Sequence, residues 1–176
     1  FVLANKAKSY QAFTRANKLI NGIVVSKTKE FKPNELKGKT FLFPAPNAFA
    51  ATLLVKFEFK KKYGFDIDKD GKVIYVNSHD SVYKGVARDI GEFGGGINRT
   101  YNNFKDSDKE VLNVVYKTDS YPSHPIANSP KIDSKTVQKL QKAFLAMPKE
   151  LKDLLSIEEF IPTTTSEYDV IKQFDK

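Results

Sequence analysis

Two periodicities of apolar residues organise the chain. Residues 21–27, NGIVVSK, form a β-branched run bounded by Gly22, and residues 39–44, KTFLFP, form a second run stopped by Pro44 and Pro46. Both predict strands. Between them KPNELKG predicts one helical turn ending at Gly38. The period then lengthens. Asn47 stands where it would cap a helix over AFAATLLVKFEFKKKYG, with Phe49, Leu53, Leu54 and Phe57 at helical spacing and Gly64 closing it. KVIYVN (72–77) predicts a strand. SVYKGVARDIG predicts a helix capped by Ser78 or Asp80, with Val82, Val86 and Ile90 on one face. EVLNVVYKT (110–118) and HPIAN (124–128) are further strand candidates.

The C-terminal third is helical in pattern. Asp133 or Ser134 caps KTVQKLQKAFLAM, whose stripe of Val137, Leu140, Phe144 and Met147 reads as a core face. Pro148 opens a short helix through Leu155, and SEYDVIKQF is the last helix. Strands alternating with helices predict an α/β sandwich with at least one mostly parallel sheet.

Composition narrows the classes of function. The 176 residues suit one domain or two small lobes, and 40% apolar content with 14 Phe and 8 Tyr predicts a folded core. The longest apolar run, AFAATLLV, is broken by Lys56, far short of the about 20 residues that span a bilayer. The net charge of +8 raises the question of nucleic acid. The lysines are spread along the chain, the densest cluster is Lys60 to Lys62, and no Arg-rich arm or finger pattern occurs. A solvated basic surface that attracts small anions fits better, with no nucleic acid as partner. The absence of cysteine excludes thiol catalysis and Cys-type zinc and fits an exported protein without disulfides. A chain that begins at Phe1 is expected to be a processed or truncated product, with any export signal upstream.

Four stretches are candidates for chemistry. DIDKDGKVIYVN (66–77) opens like a calcium loop through Asp66, Asp68, Asp70 and Gly71. Its twelfth position is Asn77 instead of a bidentate carboxylate, and a strand follows where a second helix should. A solvated turn is the main reading, with a surface cation on the three aspartates as the alternative. NSHDS places Ser78, His79 and Asp80 between a strand and a helix start, where hydroxyls, imidazole and free amides suit an anion. YPSHPIA sets His124 on a stiff connection between prolines. GEFGGGINRT (91–100) is neither a dinucleotide fingerprint nor a P-loop, yet its glycines permit close backbone approach and it ends in Arg99 and Thr100. No nucleophile–base pairing is recognisable, so recognition is expected rather than turnover.

Taken together, NGIVVSKTKEFKPN, ELKGKTFLFPAPNAFAATLL, VIYVNSHDSVYKGVARDIGEFGGGINRTY and YPSHPIANSPKIDSKTVQKLQKAFLAM resemble the phosphonate-type substrate-binding proteins of ABC transporters. These are two-lobed periplasmic binding proteins of type 2 topology. The resemblance implies an α/β fold with one complete three-layer lobe over residues 20–115 and part of a second over 1–19 and 116–176. It also implies that roughly the first third of a full-length member lies outside the chain, so that the incomplete lobe exposes apolar surface. The family's hydroxyl-rich turn at a helix N-terminus matches APNAFAA, where Pro46 is retained, Asn47 and Ala48 stand where hydroxyls are expected, and the bulkier Phe49 implies a reshaped, more apolar pocket. NSHDS matches the family's ligand-contacting histidine segment and carries over Ser78, His79 and Asp80. The family's acid-bearing turn aligns with FGGG, leaving Gly94 where a carboxylate would meet a ligand amine. Arg99, Thr100 and His124 are further implied contacts. The implied function is extracytoplasmic capture of a small anionic ligand, phosphonate- or phosphate-like, in an inter-lobe cleft for an ABC permease, without cofactor or catalysis. The alternative is the periplasmic sensor module of a membrane signalling protein on the same fold.

Overall fold

The computed structural model describes residues 1–104 and 107–174. They form two compact units, one continuous (Asn21–Ser120) and one discontinuous (Phe1–Ile20 with Tyr121–Lys176). The continuous unit runs past residue 115 for a local reason. The Thr118 N–H donates to the Gly22 carbonyl (3.0 Å), and the Gly22 N–H donates back to Thr118 Oγ1 (2.8 Å).

The chain starts with α1 (Val2–Lys8), β1 (Gln11–Ala16) and β2 (Leu19–Ile20), then enters the continuous unit. There β3 (Ile23–Ser26), a 3-10 turn (Pro33–Glu35) and β4 (Thr40–Phe43) lead into a π-helical turn (Phe49–Leu54) that continues as α2 (Val55–Tyr63). Next come α3 (Ile67–Asp70), β5 (Lys72–Tyr75), α4 (His79–Ala87), β6 (Phe93–Gly96), α5 (Asn98–Asn103) and β7 (Asn113–Lys117). The return segment holds β8 (Tyr121–Pro122), β9 (Pro125–Asn128), α6 (Ser134–Leu145), α7 (Lys149–Leu154), β10 (Phe160–Pro162) and a 3-10 helix (Thr165–Phe174). SEYDVIKQF thus winds as 3-10 instead of α-helix. Among the described residues no helix is long and apolar enough to cross a membrane.

The continuous unit is a three-layer sandwich on a five-stranded sheet of order β5-β4-β6-β3-β7. Strands β5, β4 and β6 are parallel, while β3 is antiparallel to β6 and β7. The period-two alternation of the strands sorts the core into two faces. Val24, Phe41, Phe43 and Phe93 pack against Val55 and Phe59 of α2, with Leu36, Phe65 and Ile67 around them. Ile23, Val25 and Leu42 pack against Val82, Tyr83 and Val86 of α4. Burying each such side chain contributes about 1.5–3 kcal/mol.

The helix after β4 departs from the pattern read in the sequence. Asn47 does not cap it; Ala48 is the N-cap, without a side-chain bond. The Thr52 and Leu53 N–H groups both donate to the Ala48 carbonyl (2.9 and 3.1 Å), so the first turn is wound wide. That wide turn shifts the helical phase. Ala50, Ala51, Leu54, Val55 and Phe59 face inward, and Leu53 is turned 37% into solvent. Gly64 closes α2 with φ 66°, the left-handed cap that glycine adopts without a Cβ penalty. In α4 the inward face is Val82, Tyr83 and Val86, and Ile90 lies beyond the helix end, exposed.

Glu58 is the polar residue in this apolar face. Only 1% exposed, it accepts from Tyr116 Oη (2.7 Å), Lys62 Nζ (2.9 Å) and the Asp119 N–H (2.7 Å). Burial opposes the Lys62 charge, but hydrogen bonds to Asp119 and Glu58 outweigh it and raise its pKa. Helix α2 is thereby fastened to β7 and to the segment that leaves the unit.

The discontinuous unit is a three-stranded antiparallel sheet, β10-β1-β9, and a short β2–β8 pair. Helix α6 leans on it through Phe144, which meets Phe13 and Phe160. Asp133 supplies its cap, Oδ1 accepting from the Thr136 N–H (2.9 Å). Three short strands cover little of a helix that long, so the predicted core stripe is only partly covered. Val137, Phe144 and Met147 are half-buried, and Leu140 is exposed. Leu154 and Leu155 of the next turn are exposed as well. Arg15, buried in β1, donates to Glu167 Oε1 (2.5 Å), and Thr163 Oγ1 donates to the other carboxylate oxygen.

Two outcomes are expected. Glu58→Ala takes the acceptor from Tyr116 and from the Asp119 amide, leaves Lys62 with Asp119 Oδ1 alone, and destabilises the protein by about 3 kcal/mol in urea unfolding. The hydrogen bond from Arg15 holds the Glu167 carboxyl below its ordinary 4.5. Its stabilisation is therefore complete above that value and disappears as pH falls through the lower folded pKa. Melting curves across acid pH should show a steeper loss for the wild type than for Glu167→Gln.

Candidate functional site

Because β5, β4 and β6 run parallel, their carboxyl ends share one edge of the sheet, with Phe43 level with Tyr75 and Leu42 level with Gly94. Each strand leads there into a helical N-terminus: the π-turn after β4, α4 after β5 and α5 after β6. In open α/β sheets this edge is where ligands bind, and first-turn amides favour negative charge there. The structure therefore brings Asn47–Phe49, Ser78–Asp80 and Arg99–Thr100 to one edge of the continuous unit.

After β4 the chain turns at Pro44–Asn47, and buried Thr52 donates its hydroxyl to the Ala45 carbonyl (2.8 Å), tying the turn to the helix start. Asn47 is exposed, and Ala48 and Phe49 are half-buried. The first-turn amides of Phe49, Ala50 and Ala51 precede any intrahelical partner, and no side chain caps them.

After β5, Asn77 takes a left-handed conformation (φ 67°) and delivers Ser78 to the cap of α4. Ser78 Oγ accepts from the Ser81 N–H (3.0 Å) and donates to Ser81 Oγ (2.8 Å), so Ser78 is the cap and Asp80 is left exposed in the first turn. His79 is half-buried, and its Nδ1 is buried without a hydrogen-bond partner among the described residues. Burial lowers the imidazole pKa below 6.5 against the opposing charge of Asp80, so the ring is neutral at neutral pH.

After β6, Arg99 and Thr100 lie in the first turn of α5. Arg99 is exposed and makes no ion pair among the described residues, and Thr100 is half-buried. Asn98 Nδ2 donates to Asn21 Oδ1 (3.4 Å), linking α5 to the segment that enters the unit. A residue that the sequence pattern did not mark, Tyr83 of α4, fixes this corner. Its hydroxyl donates to the Ile97 carbonyl (3.1 Å) and accepts from the Ile97 N–H (3.2 Å). Burial raises its pKa to about 12, so the phenol stays protonated.

Other candidates fall elsewhere. His124 is exposed ahead of β9, in the discontinuous unit. The three aspartates of the calcium-like loop are engaged separately. Asp66 pairs with Lys60 (3.0 Å), Asp68 pairs with Lys56 (2.6 Å), and Asp70 Oδ2 accepts from the Asp66 N–H (2.9 Å). Among the described residues no group of three or more His, Cys, Asp or Glu converges as a metal site. Gly94 sits in mid-strand beneath α4, where a Cβ would meet Val82 (2.5 Å) and Val86 (2.8 Å). A side chain there would enter the helix packing, so Gly94 does not mark the loss of a carboxylate from the edge.

The family model for the phosphonate periplasmic substrate-binding proteins of ABC transporters matches residues 1–168. The chain belongs to this family. No curated protein matches it at the level of sequence. Solved structures show the same fold. PhnD1 of Prochlorococcus marinus in complex with methylphosphonate aligns with TM-score 0.80 at 17% identity, over 98% of this chain and 73% of that one. A binding protein component of an ABC phosphonate transporter from Pseudomonas aeruginosa aligns at 0.72 and 15%, over 94% and 61%. A Xanthomonas citri protein bound to ATP aligns at 0.73 and 15%, over 94% and 70%. The chain thus has the type 2 periplasmic-binding-protein fold and spans 61% to 73% of the length of these structures. Members of the family are extracytoplasmic binding components that work with an ABC permease.

Tyr83→Phe should cost about 1–3 kcal/mol in denaturant unfolding, because the Ile97 N–H loses its acceptor, while the Ile97 carbonyl keeps the Tyr101 N–H (3.1 Å). A smaller change would show that Ile97 is held by other contacts.

Proposed function

We propose that this chain binds a small oxyanion of the phosphonate or phosphate class at the carboxyl edge of β5, β4 and β6, for uptake by an ABC permease. One observation carries the reading. Three helical N-termini meet at one edge, beside an arginine and a buried imidazole nitrogen that have, among the described residues, no ion pair and no hydrogen-bond partner respectively. Free amides, a guanidinium and a ring nitrogen are the donors that tetrahedral oxyanions take up. The methylphosphonate complex of the Prochlorococcus marinus protein supports this class of ligand, and the Xanthomonas citri protein of the same fold is bound to ATP, which also carries phosphorus oxyanions.

In this proposal Asn21–Ser120 is the complete lobe, and the discontinuous unit belongs to the second. The oxyanion rests on the amides of the π-turn and α4, with Asn47, Ser78, His79 and Arg99 as donors and Thr100 behind Arg99. Asn47 and Ala48, where the family's motif has hydroxyls, shift recognition from side-chain oxygens to backbone amides, and Phe49 puts an apolar ring beside the ligand's substituent. Asp80 in the same turn disfavours a second negative charge nearby, which selects monofunctional anions. His124 remains a candidate through resemblance alone. The protein acts as a binding component without turnover.

Titration calorimetry with methylphosphonate and inorganic phosphate tests the assignment on the whole chain. His79→Ala and Arg99→Ala should each weaken binding by about 1.5–3 kcal/mol, at least tenfold in Kd. Wild-type affinity in both variants would remove these residues from the site.

A further inference from the structure

The backbone amides that the proposed site depends on belong to a turn that rests on two positions with no side chain. The carbonyl of Ala50 occupies the place where a Cβ of residue 22 would stand, and the carbonyl of Ala51 occupies the place of a Cβ at residue 95. Gly22 precedes β3 and Gly95 lies opposite Val24 in β6, so both present the sheet face that carries Phe41 and Phe43. At Gly95 a Cβ would also meet the Phe43 ring at 2.5 Å, so neither the turn nor the ring below it leaves room. The two carbonyls come from consecutive residues of the π-turn, in the stretch whose amides face the edge.

We infer that Gly22 and Gly95 are positioning residues for the anion site: they seat the π-turn flat on the sheet and thereby aim the Phe49–Ala51 amides. This rests on the proposed function for what the amides bind, but the seating itself is a property of the fold. Carbon and oxygen that are not bonded keep about 3.3 Å apart, so a methyl group at either position lifts the turn by about 1 Å. Donors aimed at an oxyanion tolerate about 0.5 Å of error. Thr52, through its bond to Ala45, carries the displacement into the turn that holds Asn47. Gly22 has a second neighbour, Thr118, whose Cγ2 lies 3.4 Å from its Cβ position, so substitution there disturbs the exit of the unit as well. Gly95 is the cleaner probe.

The experiment compares wild type, Gly95→Ala and Gly91→Ala in the whole chain. Gly91 is the control, since a Cβ there meets Leu42 (2.8 Å) and leaves the π-turn untouched. Amide hydrogen exchange is followed without ligand, and binding of methylphosphonate and inorganic phosphate is measured well below each melting temperature. Gly95→Ala should exchange faster at Thr52 and Leu53 and bind tenfold to about a hundredfold more weakly. Gly91→Ala should melt earlier with wild-type affinity. Wild-type exchange at Thr52 and Leu53 in Gly95→Ala overturns the inference, and so does an equal loss of affinity in Gly91→Ala. If the wild type binds neither oxyanion, the functional reading fails, while the exchange comparison still decides the seating. Should Gly95→Ala not fold, Gly22→Ala takes its place, since a Cβ there meets the Ala50 carbonyl of the same turn. Faster exchange at Leu53 in that variant supports the inference, and unchanged exchange overturns it.

Discussion

The middle of the large sheet is nearly bare. Strand β6, Phe93–Gly96, lies between β4 and β3 and offers one aromatic ring followed by three glycines. Helical elements on both faces therefore pack against backbone. On one face Val82, Val86 and Tyr83 of α4 close onto Gly94 and Gly96, and on the other Ala51 closes onto Gly95. Interiors are packed like organic crystals, so helical layers this close to the strands have little freedom to slide. The depth of this packing decides where the N-termini of the π-turn, α4 and α5 come out at the sheet edge.

The same helix serves the edge at its start and the boundary of the unit farther along. It opens in the π-turn whose amides face the edge, and it carries Glu58 near its middle, bonded to Tyr116 and the Asp119 amide. A buried carboxylate with three donors is rigid, because losing any donor leaves charge without compensation in a low dielectric. The π-turn, Gly22 and Thr118 are also in direct succession, with Ala50 over Gly22 and Thr118 bonded to it. An oxyanion at the π-turn would thus be bound by the part of the unit that also fixes where the chain enters and leaves it. The +8 charge of the chain adds a general attraction for anions, while selectivity depends on the fixed amides.

Local chemistry made much of this legible. The short apolar runs in NGIVVSK, KTFLFP and KVIYVN mark β3, β4 and β5, and NSHDS after a strand marks a capped helix start because Ser78 can satisfy an amide that the helix leaves free. The calcium-like loop left a surface cation open as an alternative to a solvated turn, because aspartates at alternating positions look the same whether they converge on a cation or pair with lysines twelve and six residues away, as Asp68 and Asp66 do. The face of α2 was misjudged because one wide turn shifts the phase of everything after it, and a regular helical period cannot register that. The stripe on α6 marked a helix correctly, but a stripe says nothing of how much sheet is present to cover it.

The sequence by itself determined which segments become strands and helices, that a polar, histidine-bearing cap follows one of them, and, through motif combination, the family. Those properties depend on neighbours a few residues apart. Tertiary structure alone decided that Asn47, His79 and Arg99 share an edge, that Gly94 faces a helix instead of solvent, and that Tyr83 holds Ile97. It also decided that Gly22 and Gly95 carry the weight of the π-turn. These depend on parallel register and on the thickness of the layers, distances set between residues remote in the chain, and no local pattern encodes them.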